Sequence, residues 1–513
     1  MREVRGHLSV RVHRDGIEGA AMSAPRVLVA GLGGGGGKTL VSVGLTAAWR
    51  SRGRKVAPFK KGPDYIDAAW LTQAAERPCR NLDLFLMSRD TVVGSFLRGA
   101  ADADVSVVEG NRGLYDGVDA DGTFSSAELA KLLRIPVVLV VDCVKTTRTV
   151  AAMVLGCQRL DSAVDIRGVV LNRVSGSRHE SVLRDAVESA CGVRVMGALP
   201  KLGGTPFPER HLGLVPPDEH GAVSDAVHEV ARAVAGHLDL DALWAVASAA
   251  PTVGLPRAAA TGGGAREDGA DARARGATGR PTEGARIGVF RDAAFQFYYP
   301  ENLESLEREG GHLVYVSPLA DPELPEVDAL YVGGGFPETL AARLADNAPF
   351  RESVRRAVAE GMPVYAECGG AVYLGEELSL DEGVYPMAGA LPAAFGMAKR
   401  PQGHGYSVLQ TVTPNPFYQV GERIRGHEFH YTFARPVVAE NVAFAFRVHR
   451  GYGFDGGRDG LCHRNVLASY THVHALGVER WAPALVSAAV EHRSRRIGVV
   501  MPEPVHAAGG SSP

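Results

Sequence analysis

A two-domain α/β fold is what this sequence predicts, and three observations predict it. From Pro25 to about Ser248, extended apolar runs alternate with helix-compatible segments, and a second alternation begins at Arg286. Between them, Ala249 to Gly284, the pattern dissolves into AAPTVGLPRAAATGGGAREDGADARARGATGRPTEG. Strands alternating with helices build parallel sheets covered on both faces. The stretch between them is poor in large apolar side chains and reads as a flexible linker. A chain of 513 residues also exceeds what one core ordinarily organises. The expected boundaries are a disordered leader over 1–24, a first domain over 25–248, a linker over 249–284, a second domain over 285–500 and a tail over 501–513.

Composition excludes several classes of partner. Lys plus Arg number 55 against 58 for Asp plus Glu, a net charge of -3, so no electrostatic ground exists for a nucleic-acid partner. The six cysteines, at 79, 143, 157, 191, 368 and 462, form no Cys-x-x-Cys pair, which reads as a reduced cytoplasmic protein without a cysteine-based zinc site. No apolar run is long enough to span a bilayer. The opening MREVRGHLSVRVHRDGIEGAA lacks the apolar centre of a signal peptide, and Met22 is an alternative start.

In the first domain the strand-like runs are RVLVAGL, KVAPF, VSVVEG, PVVLVVD and IRGVVLNRV. The first leads directly into VLVAGLGGGGGKTL, a glycine-rich loop ahead of the helical TLVSVGLTAAWRSRG. Backbone N–H groups of such a loop, backed by a helix N-terminus, surround phosphate oxygens. Gly31, Gly36, Gly37, Lys38 and Thr39 are the candidates, with Lys38 supplying charge and the Thr39 hydroxyl reaching Mg²⁺. Five residues, not four, separate Gly31 from Gly37, and Leu32 takes the usual first-glycine place. FKKGPDYIDAAW offers Asp64 and Asp67, and VVEGNRGLYDG offers Glu109 and Asp116. Mg²⁺ takes oxygen ligands and keeps several waters, so one or two such carboxylates beside a triphosphate suffice. Asn172, ending GVVLN, reads either as a hydrogen-bond partner of adenine or as a turn cap.

The second domain opens with RIGVFRDAAF, HLVYVSPL and ALYVGGGFPE, then reaches GMPVYAECGGAVYLG. Pro363, Val364 and Tyr365 favour a strand, and Gly369-Gly370 permit a sharp turn into a helix. That geometry exposes a turn residue above a sheet edge, so Cys368 reads either as a nucleophile or as a buried core thiol. A nucleophile requires a base. RGHEFHYT supplies His427 and His430, but a His-Glu-x-x-His zinc motif would need histidine at Tyr431. LASYTHVHAL supplies His472 and His474 after a short β-like run, and a neighbouring histidine draws a thiol toward its thiolate. Gly334 and Gly335 of GGGFPE, with Gly369, are candidates for the N–H groups of an oxyanion hole.

In order, GGGFPE, YAECGG, GHEFHYT and SYTHVH resemble the glutamine amidotransferase half of the cobyrinate a,c-diamide synthase family, within the class I amidotransferases. Ahead of them, AG...GKT, GPDYID, EGNRGLYDG, VVLNRV and FPERHLGLV resemble its synthetase half, with a phosphate loop similar to that of dethiobiotin synthetase. The resemblance spans roughly Pro25 to Val500. It implies a P-loop NTPase-like parallel sheet followed by a flavodoxin-like amidotransferase domain. It implies Cys368 as glutaminase nucleophile, His472 as its activator, residues 31–39 holding ATP, and Asp64, Asp67 and Glu109 serving Mg²⁺-ATP and the activated carboxylate. Asp116 would help to position the substrate. The implied reaction amidates the a and c acetates of cobyrinate or hydrogenobyrinate in cobalamin biosynthesis, through an acyl phosphate. Nickel-sirohydrochlorin a,c-diamide synthase and cobyric acid synthase are the near alternatives, and a septum-positioning ATPase switch the remote one. The partners are then small molecules, with a homodimer carried as an expectation. Class I enzymes complete the triad with an acid two residues after the histidine, where this chain has His474, so either another carboxylate orients His472 or the pair acts alone.

Overall fold

The computed structural model describes residues 21–201, 207, 209–210, 213–217, 222–254, 284–435 and 442–498. Residues 1–20 of the expected leader, 255–283 of the expected linker, the tail 501–513 and part of FPERHLGLV lie outside the described residues. The chain divides into two compact units, Met1–Ala274 and Arg275–Pro513.

The first unit is built on a seven-stranded sheet. Its strands are β1 (Arg26–Gly31), β2 (Val56–Lys61), β3 (Arg80–Leu82), β4 (Val105–Glu109), β5 (Val137–Asp142), β6 (Ile166–Val174) and β7 (Val195–Pro200), in the spatial order β3-β2-β4-β1-β5-β6-β7. Every pairing is parallel. The near-continuous Val and Leu of β1 and β5 suit strands buried on both faces. Val27, Val29, Val138 and Val140 pack with Val41 and Leu45 of helix α1 (Lys38–Ser51), which fixes that helix against the sheet. Strand order reverses beside β1, so the loop from β1 into α1 opens at the C-terminal edge where parallel α/β sheets bind ligands.

The unit's ordered chain runs past both expected boundaries. Ala21–Met22 pairs antiparallel with Val253–Gly254, so the leader ends in a strand and the start of the expected linker is its partner. Arg26, fully buried, donates to the carbonyls of Ala24 and Pro251 and ties the two segments to the sheet.

The second unit carries a ten-stranded mixed sheet. β8 (Arg286–Phe290), β9 (His312–Val316), β10 (Ala329–Val332), β11 (Val364–Glu367) and β16 (Val466–Ser469) pair in parallel in the order β9-β8-β10-β11-β16. An antiparallel extension continues through β15 (Arg458–His463), β14 (Ala443–Arg450), β12 (Gly403–Thr411), β13 (Arg423–His430) and the two-residue β17 (His472–Val473). Strand parity divides the core. Val364 and Ala366 face one cluster with Leu330 and Val332, while Tyr365 faces another with Tyr331, Leu467 and Trp481. Glu367, next in β11 on the Tyr365 side, is fully buried. Among the described residues, no helix is long and apolar enough to cross a membrane.

Candidate active sites

At the edge of the first sheet, the loop after β1 folds back on itself. Lys38 Nζ donates to the Gly33 carbonyl at 2.7 Å. A Cβ at Gly31 would lie 3.0 Å from Lys38 Cγ, so the glycine gives the lysine stem its path. Gly35 and Gly37 hold φ of 68° and 93°, backbone that side chains strain. Asn172, read as an adenine partner or a turn cap, donates from Nδ2 to the Gly36 carbonyl at 3.0 Å. Arg173 clamps the same loop, donating to Gly35 O at 2.7 Å and to Asp142 at 2.9 Å.

Behind the loop lies a buried charge network. The Thr39 hydroxyl donates to Glu109 Oε1 at 2.8 Å. Lys60 Nζ, from the end of β2, donates to Glu109 Oε1 at 2.8 Å and Asp67 Oδ2 at 2.5 Å. Asp64 Oδ1 accepts from the Asp67 N–H at 2.9 Å, which seats both acids at the start of helix α2 (Ile66–Ala75). Burial alone would drive the Lys60 ammonium toward neutrality, but Asp67 and Glu109 overcome it and hold the pKa well above the ordinary lysine value. Burial pushes the Glu109 carboxyl up against the pull of Lys60, and burial with the charge of Asp67 pushes Asp64 up. Asp116 braces its own loop by accepting from the Gly113 N–H at 2.7 Å, and the Leu114 N–H donates to Gly31 O at 2.7 Å. The segment after Glu109 is therefore stitched to the phosphate loop.

Glu109 Oε2 is buried without a hydrogen-bond partner among the described residues. An orphaned carboxylate oxygen beside a threonine hydroxyl and two aspartates fits a hard cation. Among the described residues, no three His, Cys, Asp or Glu side chains form a closed metal cage. Mg²⁺ needs none, since it keeps waters and takes phosphate oxygens.

In the second unit, Cys368 stands between β11 and helix α3 (Gly369–Leu374) with φ 47° and ψ -104°. Left-handed backbone at a residue with a Cβ is strain of the kind held at functional turns, costing about 1–3 kcal/mol. Its N–H donates to Ser469 O of β16 at 2.7 Å, which anchors the turn. The sequence led us to expect a thiol drawn toward its thiolate. Instead burial, joined by the charges of Glu338, Glu367 and Glu428, pushes the pKa up against a hydrogen bond from the Gly369 N–H. The sulfur rests as a thiol in a site 7% exposed.

His472 enters from β17, paired with His427 of β13. Its Nδ1 lies 3.3 Å from Glu367 Oε2, and the following Val473 N–H donates to Glu367 Oε1 at 3.1 Å. His427 stacks on it, ring centroids 5.0 Å apart. Burial and then the neighbouring imidazoles hold His427 well below the usual histidine range, so this wall of the site is uncharged. A Cβ at Gly334 would lie 2.5 Å from His472 Cε1, and one at Gly369 would lie 3.1 Å from Gly335 N. The Gly334-Gly335 pair thus sits against the imidazole on one side and the residue after Cys368 on the other. His474, where class I enzymes carry an acid, points Nε2 toward Glu301 Oε2 at 3.7 Å.

Two residues escaped the sequence reading. Lys60 lies at the end of an apolar strand, and a lysine in that place is the signal that FKKGPDYIDAAW carries beside its two acids. Glu367 was hidden as the last member of an apparently apolar run, where its charge beside Cys368 was the available clue.

Residues 27–209 match the CobQ/CobB/MinD/ParA nucleotide binding domain, and residues 286–479 match the CobB/CobQ-like glutamine amidotransferase domain. A nucleotide-binding unit and a glutamine-using unit on one chain define a class, the glutamine-dependent ligases. Over 464 residues the chain is 44% identical to a cobyrinate a,c-diamide synthase of Magnetococcus marinus, covering 90% of this chain and 96% of the relative. A protein of the same name from Archaeoglobus fulgidus is 41% identical, over 92% of this chain and 99% of its own. The chain belongs to the cobyrinate a,c-diamide synthase family.

Proposed function

We propose that this chain amidates the a and c acetate carboxylates of cobyrinate or hydrogenobyrinate, with nitrogen from glutamine and energy from ATP. The observation that carries the reading is the strained Cys368 turn, whose preceding residue Glu367 meets His472, in one unit, on a chain whose other unit holds the Lys60-Asp67-Glu109 network behind a phosphate loop. In the glutaminase half-reaction, Cys368 Sγ attacks the glutamine amide carbon while its proton passes to His472 Nε2. The carbonyl oxygen, now negative, takes N–H groups from the Gly334-Gly335 and Gly369 backbone. The imidazolium returns the proton to the departing nitrogen, the C–N bond breaks, and ammonia leaves a thioester that water hydrolyses to glutamate.

In the synthetase half, residues 31–39 cradle the ATP phosphates, and Lys38 exchanges its Gly33 carbonyl for phosphate oxygens. Thr39, Glu109, Asp64 and Asp67 are the residues that would hold Mg²⁺, which when bound neutralises phosphate charge. Lys60, kept charged by its carboxylates, stabilises the transferring phosphoryl group. A substrate carboxylate oxygen becomes an acyl phosphate, and ammonia displaces phosphate to leave the amide. Lys61 supports an anionic substrate: it is 5% exposed, and among the described residues no carboxylate forms an ion pair with it. Burial, then Lys60 and Arg112, lower its pKa, with Asp83 opposing. Such a cation gains by meeting a carboxylate. A cytoplasmic location accords with the free cysteines among the described residues, and a homodimer is checked by sedimentation.

The test is mass spectrometry of products from cobyrinate and hydrogenobyrinate, offered separately with ATP and glutamine. Two amidations on one of them support the reading; none on either overturns it.

A further inference from the structure

We propose that Glu367, the residue immediately before Cys368, is the positioning carboxylate of the glutaminase site, holding His472 as the Nδ1–H tautomer and balancing its charge when it becomes imidazolium. The proposal rests on the glutaminase reading of Cys368 and His472.

The geometry assigns both carboxylate oxygens. Oε1 accepts the Val473 N–H at 3.1 Å, and Oε2 faces His472 Nδ1 at 3.3 Å and the Tyr331 hydroxyl at 3.4 Å. Asn302 Nδ2 donates to the Tyr331 oxygen at 3.1 Å and to Val473 O at 2.9 Å, bracing the far side of the carboxylate and the histidine strand together. With Glu367 ionised and acceptor-only, the proton of a neutral imidazole belongs on Nδ1. Nε2, on the ring edge that faces Gly334, is left as the acceptor a thiol proton needs. A buried carboxylate held by a backbone N–H is a rigid orienter, and its charge stabilises the cation formed during attack. Strand parity makes the arrangement possible. Glu367 leaves β11 on the Tyr365 face toward β17, and the left-handed turn at Cys368 then redirects the chain into α3.

The same contacts dictate the outcome of Glu367→Gln. The Val473 N–H requires an oxygen, so the amide must place its NH₂ against His472 Nδ1. Nδ1 then has to accept, and the proton moves to Nε2, the wrong tautomer for a base. Glutaminase kcat is expected to fall roughly 10²- to 10⁴-fold, with KM for glutamine changed less than about threefold. The ¹⁵N signals of His472 in ¹⁵N-histidine protein should move from the Nδ1–H to the Nε2–H pattern. Glu367→Asp, which keeps an acceptor, should retain the Nδ1–H pattern and recover at least about tenfold in kcat over the Gln variant. A Gln variant with kcat within about threefold of wild type, or one that loses activity with its proton still on Nδ1, overturns the proposal. If Glu367→Gln does not unfold cooperatively, Glu367→Asp decides alone: activity as low as Cys368→Ser overturns the assignment. Wild-type protein that releases no glutamate from glutamine would instead overturn the glutaminase reading itself.

Discussion

Cys368 combines a strained backbone, a protonated resting sulfur and a glycine-walled approach, and each has a measurable consequence. Its folded pKa lies above the ordinary thiol value of 9.0. The sign follows: the protonated form stabilises the fold below about pH 9, and that contribution is lost as pH rises through the higher folded value. Iodoacetamide should modify Cys368 more slowly than free cysteine at pH 8, with a rate still climbing where free cysteine has levelled off; Cys368→Ser gives the baseline. Gly334→Ala would put a methyl 2.5 Å from His472 Cε1. Glutamine-dependent kcat/KM should then drop on the order of 10²-fold, the scale of a 1 Å misplacement, while ammonia-dependent amidation is kept. At this scale the sequence made Cys368 and His472 candidates because a strand, two glycines and a late histidine leave local marks. Glu367 left only its charge next to Cys368 as a mark, since which side chains of β11 and β17 meet is decided across more than a hundred positions.

The loop between β1 and α1 shows how an element is held for a ligand. Its carbonyls at Gly33, Gly35 and Gly36 are taken by Lys38, Arg173 and Asn172. At Gly37, with φ 93°, a Cβ would stand 2.0 Å from Asn172 Nδ2. Gly37→Ala therefore both strains the backbone, by roughly 1–2 kcal/mol, and displaces the clamp. Its kcat/KM for ATP should fall on the order of 10²-fold, measured with ammonia as nitrogen source so that the glutaminase is bypassed. The loop and its flanking strand and helix were legible because glycine, lysine and threonine between two periodic segments have few other uses. The contact of Asn172 with Gly36 was legible only as one of two readings, adenine partner or turn cap, since a strand-end asparagine suits either. The antiparallel half of the second sheet was also missed: its strands carry half-exposed alternating residues and pair out of sequence order.

For the whole molecule, the division into two α/β units was visible as a break in periodicity, although Ala21–Met22 and Val253–Gly254 show that short segments can pair without any apolar run to announce them. The glutaminase candidates Cys368, His472 and Glu367 all belong to Arg275–Pro513, and Lys38, Lys60 and Glu109 to Met1–Ala274. The two halves should fail differently. Lys38→Ala should abolish amidation with either nitrogen source and leave glutamate release measurable, whereas Cys368→Ser should lose glutamine use and keep ammonia use; a shared phenotype would contradict the division. This segregation also makes the molecule its own leak detector. When the two crippled variants are mixed, the only commodity one can lend the other is dissolved nitrogen, so the yield of that mixture relative to wild type gauges how much escapes before it is consumed.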